Sequence, residues 1–462
     1  MAAALHRERT RVLPDVALLA ERLVAAIDAM LSAQVDAILH HPSFQALEAS
    51  WRQLHGLAGI ARGMRLVRIK VLDLSWAALG RDLARASEFD QSTLFRLLYS
   101  EQIGTAGGEP FGLVVIDRAV SHRPGGEPGR VHDDVSMLQS LAGIGAAAFC
   151  PILLQAAPEL LDLADWQSVS AGVDLRPVLD DMAHFRWRSL RQASDARFLG
   201  LTLPRVLVRL PWQDVDRSRP DGFVYRGETV GEGGQSADML WGNAAFAFAG
   251  TVLRLFDESG WFADLRGARQ DSSGAGLVDD LPVHAFATDG GTIAGQAPVE
   301  VRFSGVQEQA LSDAGLIPVI AAPYTNKVLF NSNASLHAPP QYAHGEATWN
   351  ARISAMLQYI LCVSRFAHYL LVMMRDSIGS YQGVGEVQTR LNNWLQKYCL
   401  GNDDPSLEAR ARFPLREAFV EVHEVPGRPG VLGCTIRLKP HFQIDSIATS
   451  FRLVTSMSNA RA

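Results

Sequence analysis

The chain has 462 residues, with 43 Lys+Arg against 49 Asp+Glu and a formal net charge of −6. That balance excludes an electrostatic nucleic-acid binder, whose footprint is a basic patch or stripe. Hydrophobic residues make up 48%, which excludes a disordered chain, and the length leaves room for roughly three domains.

In chain order, apolar residues recur first at Val12, Val16, Leu19, Leu23, Ile27 and Met30 or Leu31. That spacing predicts an amphipathic helix, with Pro14 suited to its first turn. Asp15, Glu21, Arg22 and Asp28 interrupt any signal-peptide core. His41-Pro42 breaks the pattern. Ser43 is the expected N-cap of a second helix, Phe44 to about Met64, with Leu47, Trp51, Leu54 and Leu57 on one face. Residues 65–73 (RLVRIKVLD) alternate as a strand does. Helices are expected over Ser75–Ala86 and Gln91–Glu101, then a buried strand over Phe111–Asp117. A helix over Asp133–Ala148 precedes a strand in FCPILLQ, and a helix over Pro177–Ser194 precedes one in Leu203–Pro211. Strand–helix–strand order of this kind predicts an α/β core whose sheet is at least partly parallel.

Gly-, Pro- and Asp-rich stretches at Ser121–Asp133, Gln213–Ala237 and Gly267–Gly276 read as surface loops. A helix over Trp241–Ser259 separates the last two. Strands are expected at Val283–Thr288, Val299–Phe303 and Pro318–Ala322. Asn350–Ser377 is the longest stretch with one unbroken helical reading, free of Gly and Pro. Gln358, Arg365, His368 and Arg375 follow one another at steps of seven, three and seven, a thin polar stripe on an otherwise apolar helix. Such a helix is packed on several sides, and charges in mid-run argue against a membrane span. A second helix is expected over Gly385–Cys399, followed by the linker GNDDPS. Glu417–Val425 and Val431–Lys439 then alternate on either side of PGRPG, an antiparallel hairpin signal. Ile447, Thr449, Phe451 and Leu453 suggest one more alternating piece. A lone hairpin is marginal in water, so this one needs further strands or a covering surface.

Signs of catalysis are thin. His40-His41 has no carboxylate or further His at ligand spacing. Ser364 and His368 stand at i and i+4, but a helix buried on most sides offers neither an exposed elbow nor an orienting acid. GGEPFG at Gly107–Gly112 is not a dinucleotide loop, and no Walker motif exists. Arg365 and Arg375 read as partners of acids. Cys150, Cys362, Cys399 and Cys434 are scattered without a CxxC pair and read as reduced thiols. No catalytic, cofactor-binding or metal-ligating residue is nominated. The reading is a structural, assembling protein, with a cytosolic α/β enzyme of dispersed site as the alternative.

Several long blocks carry a resemblance. They are HPSFQALEASWRQLHGL at His41–Leu57, GGEPFG, LGLTLPRVLVRLP at Leu199–Pro211, LWGNAAFAFA at Leu240–Ala249 and GLVDDLPVHAF at Gly276–Phe286. YILCVSRFAHYL, RDSIGS, LNNWL at Leu391–Leu395, PLREAFVEVHEVPGRPG at Pro414–Gly430 and KPHFQIDSIATSFRLV at Lys439–Val454 complete the set. In this order they span nearly the whole chain, which resembles the large sheath subunit of the type VI secretion system, the TssC or VipB family. The resemblance implies a multi-lobed, mixed α/β sheath-subunit fold whose C-terminal hairpin joins an intersubunit sheet. It places Glu417, Val420, Val422, Leu432, Ile436 and Leu438 in that sheet. It implies an N-terminal helical segment over 1–64, an α/β middle domain over 65–345 and an assembly domain over 346–462 that begins with the central helix. The implied role is mechanical. The chain would pair with a small sheath subunit and polymerise with copies of itself into a helical tube around inner-tube hexamers. Contraction would drive effector delivery, and an AAA+ ATPase would dismantle the contracted form. The tube would stand in the bacterial cytoplasm, joined through a baseplate to the inner-membrane complex, with no cofactor and no nucleic acid. A sheath of another contractile injection system or phage-type tail, working without a small partner, is the related alternative.

Overall fold

The computed structural model describes residues 2–124, 133–169, 173–213, 222–228, 239–262, 265–267, 276–287, 293–322, 327–377, 383–401, 406–424, 432–441 and 451–457. The strands in chain order are β1 (Val114–Val120), β2 (Ile152–Ala156), β3 (Leu199–Leu203), β4 (Val206–Arg209), β5 (Leu240–Gly242), β6 (Leu277–Val278) and β7 (His284–Ala287). They continue as β8 (Ile293–Gln296), β9 (Ile317–Pro318), β10 (Ile320–Ala321), β11 (Val328–Leu329), β12 (Leu415–Glu424), β13 (Leu432–Pro440) and β14 (Phe451–Met457). The fold is mixed α and β. Two compact units divide it: Met1–Gln53 with Leu207–Gly242 and Leu281–Gln296, and Leu54–Val206 with Asn243–Asp280 and Ala297–Ala462.

In the first unit, one helix runs Ala2–Leu39, so Pro14 lies in its interior rather than in its first turn. The next helix, Pro42–Ile60, opens on its proline, and Ser43 is already inside it. Proline suits that opening position because its missing N–H is one that no helical partner would take. Arg209 is nearly buried between two carboxylates: its Nε donates to Glu48 at 2.7 Å, and its Nη1 donates to Glu228. Glu228 also accepts from the Trp212 N–H at 2.8 Å and pairs with His40 at 3.1 Å. Tyr225 donates to Asp36, and the Arg226 N–H donates to the Ser32 hydroxyl at 3.2 Å, which seats residues 222–228 along the first helix. β7 and β8 form an antiparallel pair.

The second unit holds a parallel sheet in the order β1-β2-β3-β9, with Val114 opposite Ile152, Ile152 opposite Leu199 and Thr202 opposite Ile317. β2 and β3 are buried along their whole length, as the apolar runs require. β1 is mostly half-buried instead. Gly200 has to be glycine, because a Cβ there would meet the side chains of Leu153 and Leu357, both at 2.8 Å. Helices Asp134–Ala148 and Ala244–Ser259 pack on this sheet. Asp133 and Asn243 cap them by accepting from Val135 and Ala245. Leu138, Leu141 and Ile144 of the Asp134–Ala148 helix share a buried core with Leu154 and Leu201 of the sheet and with Trp187. β10-β11-β6 and β12-β13-β14 are antiparallel sheets.

Several expected elements differ. Residues 65–73 carry no ladder and leave Leu66 and Val71 exposed. The expected strand over Leu203–Pro211 is instead the end of β3 and the separate β4. Val299–Phe303 contributes one bridge, to Val206. Pro177–Ser194 breaks into Arg176–Leu179, a turn at Met182–His184 and Phe185–Gln192. The Asn350–Ser377 stretch is two helices, Gly345–Ser354 and Leu357–Arg375. Met356 between them is extended and bridges Ala334, and the Leu357 N–H donates to the Asn333 carbonyl at 2.8 Å. A bridge to a residue distant in sequence thus overrides a local helix preference. The PGRPG turn, Ile447, Thr449 and most of the three hydrophilic stretches lie outside the described residues.

Candidate functional site in the C-terminal sheet

Alternation gives β12 and β13 two different faces. Glu417 stands opposite Lys439, Val420 opposite Ile436, Val422 opposite Cys434 and Leu432 opposite Glu424. β14 adds a third strand, with Leu453 opposite Ile436 and Phe451 opposite Leu438. Ala418, Val420, Val422, Cys434, Ile436 and Leu438 are buried on one face. They pack with Ile360, Val363, Phe366 and Leu370 of the Leu357–Arg375 helix and with Val387, Leu391 and Leu395 of the helix Val384–Gln396. This is the covering surface a hairpin needs. Glu417, Phe419, Glu421, His423 and Arg437 face outward and are exposed, and Lys439 pairs with Glu417 at 3.1 Å.

The outer edge of β12 is closed by side chains. Asn392 donates to the Val420 carbonyl at 2.8 Å and accepts the Val420 N–H at 2.9 Å. Gln396 donates to the Ala418 carbonyl at 2.9 Å, and Gln388 accepts the Val422 N–H at 3.0 Å. These three amides stand four residues apart on one helix, so they form a row on one side of it. The row meets successive outward-facing backbone groups of the strand as a neighbouring strand would. An open edge invites pairing with another chain, and this edge is occupied. Sequence reasoning did not nominate these residues, although their spacing in GEVQTRLNNWLQ is the signal that marks them.

The polar residues of the central helix take separate partners. Gln358 is fully buried and accepts from Asn333 at 3.0 Å. His368, also buried, donates from Nε2 to the Ala148 carbonyl at 2.9 Å and makes no bond to Ser364. Burial, with a smaller push from the nearby Arg365 charge and against the Ala148 bond, lowers its pKa to about 4. Arg375 does not anchor on an acid alone. Its Nη1 donates to the carbonyls of Gln102, Ile103, Thr105 and Gly108, while Nε reaches Asp376 at 3.2 Å. The loop it holds includes the start of GGEPFG. Gly108 fits there because a Cβ would lie 2.3 Å from the Gln102 carbonyl oxygen. Arg365 lies over the rings of Tyr369 at 4.5 Å and Phe256 at 5.6 Å, and donates to the Tyr369 hydroxyl. The expected acid partner is replaced by aromatic faces, which attract a guanidinium through the ring quadrupole.

By length and apolarity the Leu357–Arg375 helix could cross a membrane, but most of it is buried inside the protein. All four cysteines are free thiols, and burial raises the Cys150, Cys362 and Cys434 thiols to about 12. In the first unit, Val16, Leu19, Leu23, Ile27 and Met30 of the Ala2–Leu39 helix are each more than half exposed. Their spacing of three and four residues makes one apolar seam along the helix.

A VipB family model described as the EvpB tail sheath N-terminal domain matches residues 21–337, and one described as the tail sheath gpW/gp25-like domain matches residues 346–457. The chain is 36% identical over 444 residues to the type VI secretion system sheath protein TssC1 of Pseudomonas aeruginosa, covering 96% of this chain and 86% of that protein. Among solved structures, a sheath tail protein from Desulfitobacterium hafniense aligns over 71% of this chain and 61% of its own length, at 11% identity and a TM-score of 0.30.

Proposed function

This chain belongs to the TssC/VipB family of type VI secretion tail sheath proteins, and on that premise we propose that it is the large subunit of a contractile sheath. It pairs with a small sheath subunit, and the pairs polymerise as a helical tube around a stack of inner-tube hexamers. The tube stands on a baseplate at the inner membrane, in the bacterial cytoplasm. Contraction drives the inner tube outward, and an AAA+ ATPase dismantles the contracted form. The chain's own chemistry is assembly, and the family is one of structural proteins.

The observation that carries this reading is the apolar seam of the Ala2–Leu39 helix, exposed from Val16 to Met30. An isolated amphipathic helix gains nothing from so long a dry face in water, so the face calls for a partner. We assign it to the small subunit. The exposed face of β12 and β13, carrying Glu417, Phe419 and Arg437, packs against a neighbouring copy of the pair. The intersubunit sheet itself forms at the β14 edge, because the β12 edge is already taken by Gln388, Asn392 and Gln396; main-chain bonds there persist through rigid-body rotation while side-chain contacts repack between two states.

The test is co-expression with a small sheath subunit from the same genome, followed by negative-stain electron microscopy of the high-molecular-weight fraction. Hollow tubes that need both chains support the reading. The Leu23→Asp variant, placed on the seam, is expected to stay folded and lose its partner. A wild-type chain that remains alone in the presence of the small subunit would overturn it.

A further inference from the structure

Three loops of the second unit meet beyond the carboxyl ends of β1 and β2. His122 follows β1 by two residues. Asp162 ends the short turn Pro158–Leu161 that follows β2, with φ +55 in the left-handed region, where aspartate is one of the few residues tolerated. His184 closes the turn Met182–His184 ahead of helix Phe185–Gln192.

The two imidazoles are stacked with centroids 3.8 Å apart and planes tilted by 27°. His122 Nε2 lies 3.9 Å from Asp162 Oδ1, and one ligand atom from each of the three residues falls within 4.8 Å of the others. His122 is 4% exposed and His184 fully buried. His184 donates from Nε2 to the Leu160 carbonyl at 2.9 Å, which leaves Nδ1 as the bare nitrogen. That Nδ1 and both ring nitrogens of His122 have no hydrogen-bond partner. Buried polar atoms are almost always partnered, so three unpartnered nitrogens in one place need an explanation. Asp162 is held from the solvent side by Arg123, which stands where a cation would.

We propose that His122, His184 and Asp162 form a binding site for a borderline divalent cation such as Zn²⁺. Two imidazoles and one carboxylate are a donor set for zinc, cobalt or nickel rather than for calcium or magnesium, which take oxygen ligands. The Leu160 carbonyl fixes the tautomer of His184 as backbone carbonyls do for metal-bound histidines. A metal lies in the plane of an imidazole, so loading turns the His122 ring out of its stack on His184, whose bond to Leu160 is kept, and draws the carboxylate away from Arg123. The bound ion ties the loops after β1 and β2 to the turn that opens the next helix. The inference is independent of the sheath reading.

The experiment uses the full chain, stripped with chelator and titrated with zinc chloride by calorimetry, with Co²⁺ absorption as the second readout. One equivalent is expected to bind, to raise the melting temperature and to give the visible bands of Co²⁺ with nitrogen and oxygen ligands. Asp162→Asn, at an exposed position, is expected to fold and to bind at least tenfold more weakly. Arg123→Ala, which frees the carboxylate, is expected to bind more tightly than wild type. His122→Ala is expected to abolish the Co²⁺ bands. No zinc binding by the wild-type chain, or binding that Asp162→Asn and Arg123→Ala leave unchanged, would overturn the proposal.

Discussion

Asn392 holds Val420 by both of its backbone groups, accepting the N–H at 2.9 Å and donating to the carbonyl at 2.8 Å. A side-chain amide thereby does for an edge strand what a neighbouring peptide would do. Asn392→Ala leaves a donor and an acceptor of buried Val420 without partners, and is expected to cost about 1–3 kcal/mol. Asn392→Asp keeps the acceptor and loses the donor, so it should fall between the two. Urea melts give the ranking, and hydrogen exchange at the Val420 amide should quicken in Asn392→Ala. An amide that stays as slow as in wild type would show that the edge is protected by something else.

The two faces of the hairpin separate folding from assembly. Val422→Asp and Ile436→Asp place a charge in the core against helices Leu357–Arg375 and Val384–Gln396, and are expected to cost ~3 kcal/mol or more in the subunit itself. Phe419, 48% exposed on the other face, has no such role. Phe419→Asp is expected to change the melting transition by less than about 0.5 kcal/mol and, on the sheath reading, to prevent tube formation. Normal tubes from Phe419→Asp would remove that face from the assembly contacts.

Arg375 is expected to matter through the loop it holds. Its side chain is 9% exposed and serves four carbonyls between Gln102 and Gly108. Arg375→Ala should cost about 2–3 kcal/mol and open the loop to limited proteolysis. Arg375→Lys should rescue little, because an ammonium on a flexible stem does not reproduce the fork of a guanidinium. For Arg365, lying on Phe256 and Tyr369, loss to Ala should cost only ~0.5–2 kcal/mol, since no buried acid is left behind.

His368 makes stability depend on pH in a defined direction. Its folded-state pKa, about 4, lies below the ordinary 6.5 because burial opposes the charged ring. Nδ1 has no acceptor waiting for a second proton. The unfolded chain therefore binds the proton more readily than the folded one between those values. The stability is whole above pH 6.5 and is lost as pH falls toward 4, by up to about 1.4 kcal/mol per pH unit from this residue. Melting temperatures from pH 7.5 to 4.5 check this, and His368→Gln should flatten that slope. An unchanged slope would assign the acid sensitivity to other groups.

Local rules reached much of this molecule. The starts of Trp76–Arg85 and Asp134–Ala148 fall within a residue of expectation, where Ser75 and Asp133 cap them through contacts between near neighbours, whereas Ser43, the N-cap the sequence pointed to, lies inside its helix. Period-two alternation gave the C-terminal hairpin and sorted Val420 and Ile436 from Glu421 and Arg437, because side-chain direction in a strand is a property of the backbone alone. Tertiary structure decided the rest. Met356 interrupts a helix that contains no breaker because Ala334 pairs with it from 22 residues away. Arg375 finds its carbonyls some 270 positions earlier in the chain, and His122, Asp162 and His184 meet only because the segment after β1 and two turns of the β2–β3 connection lie side by side. Propensity and periodicity act over a few residues. The free energy of burial and of partner satisfaction depends on groups brought together by the whole fold, and no local pattern records which groups those will be.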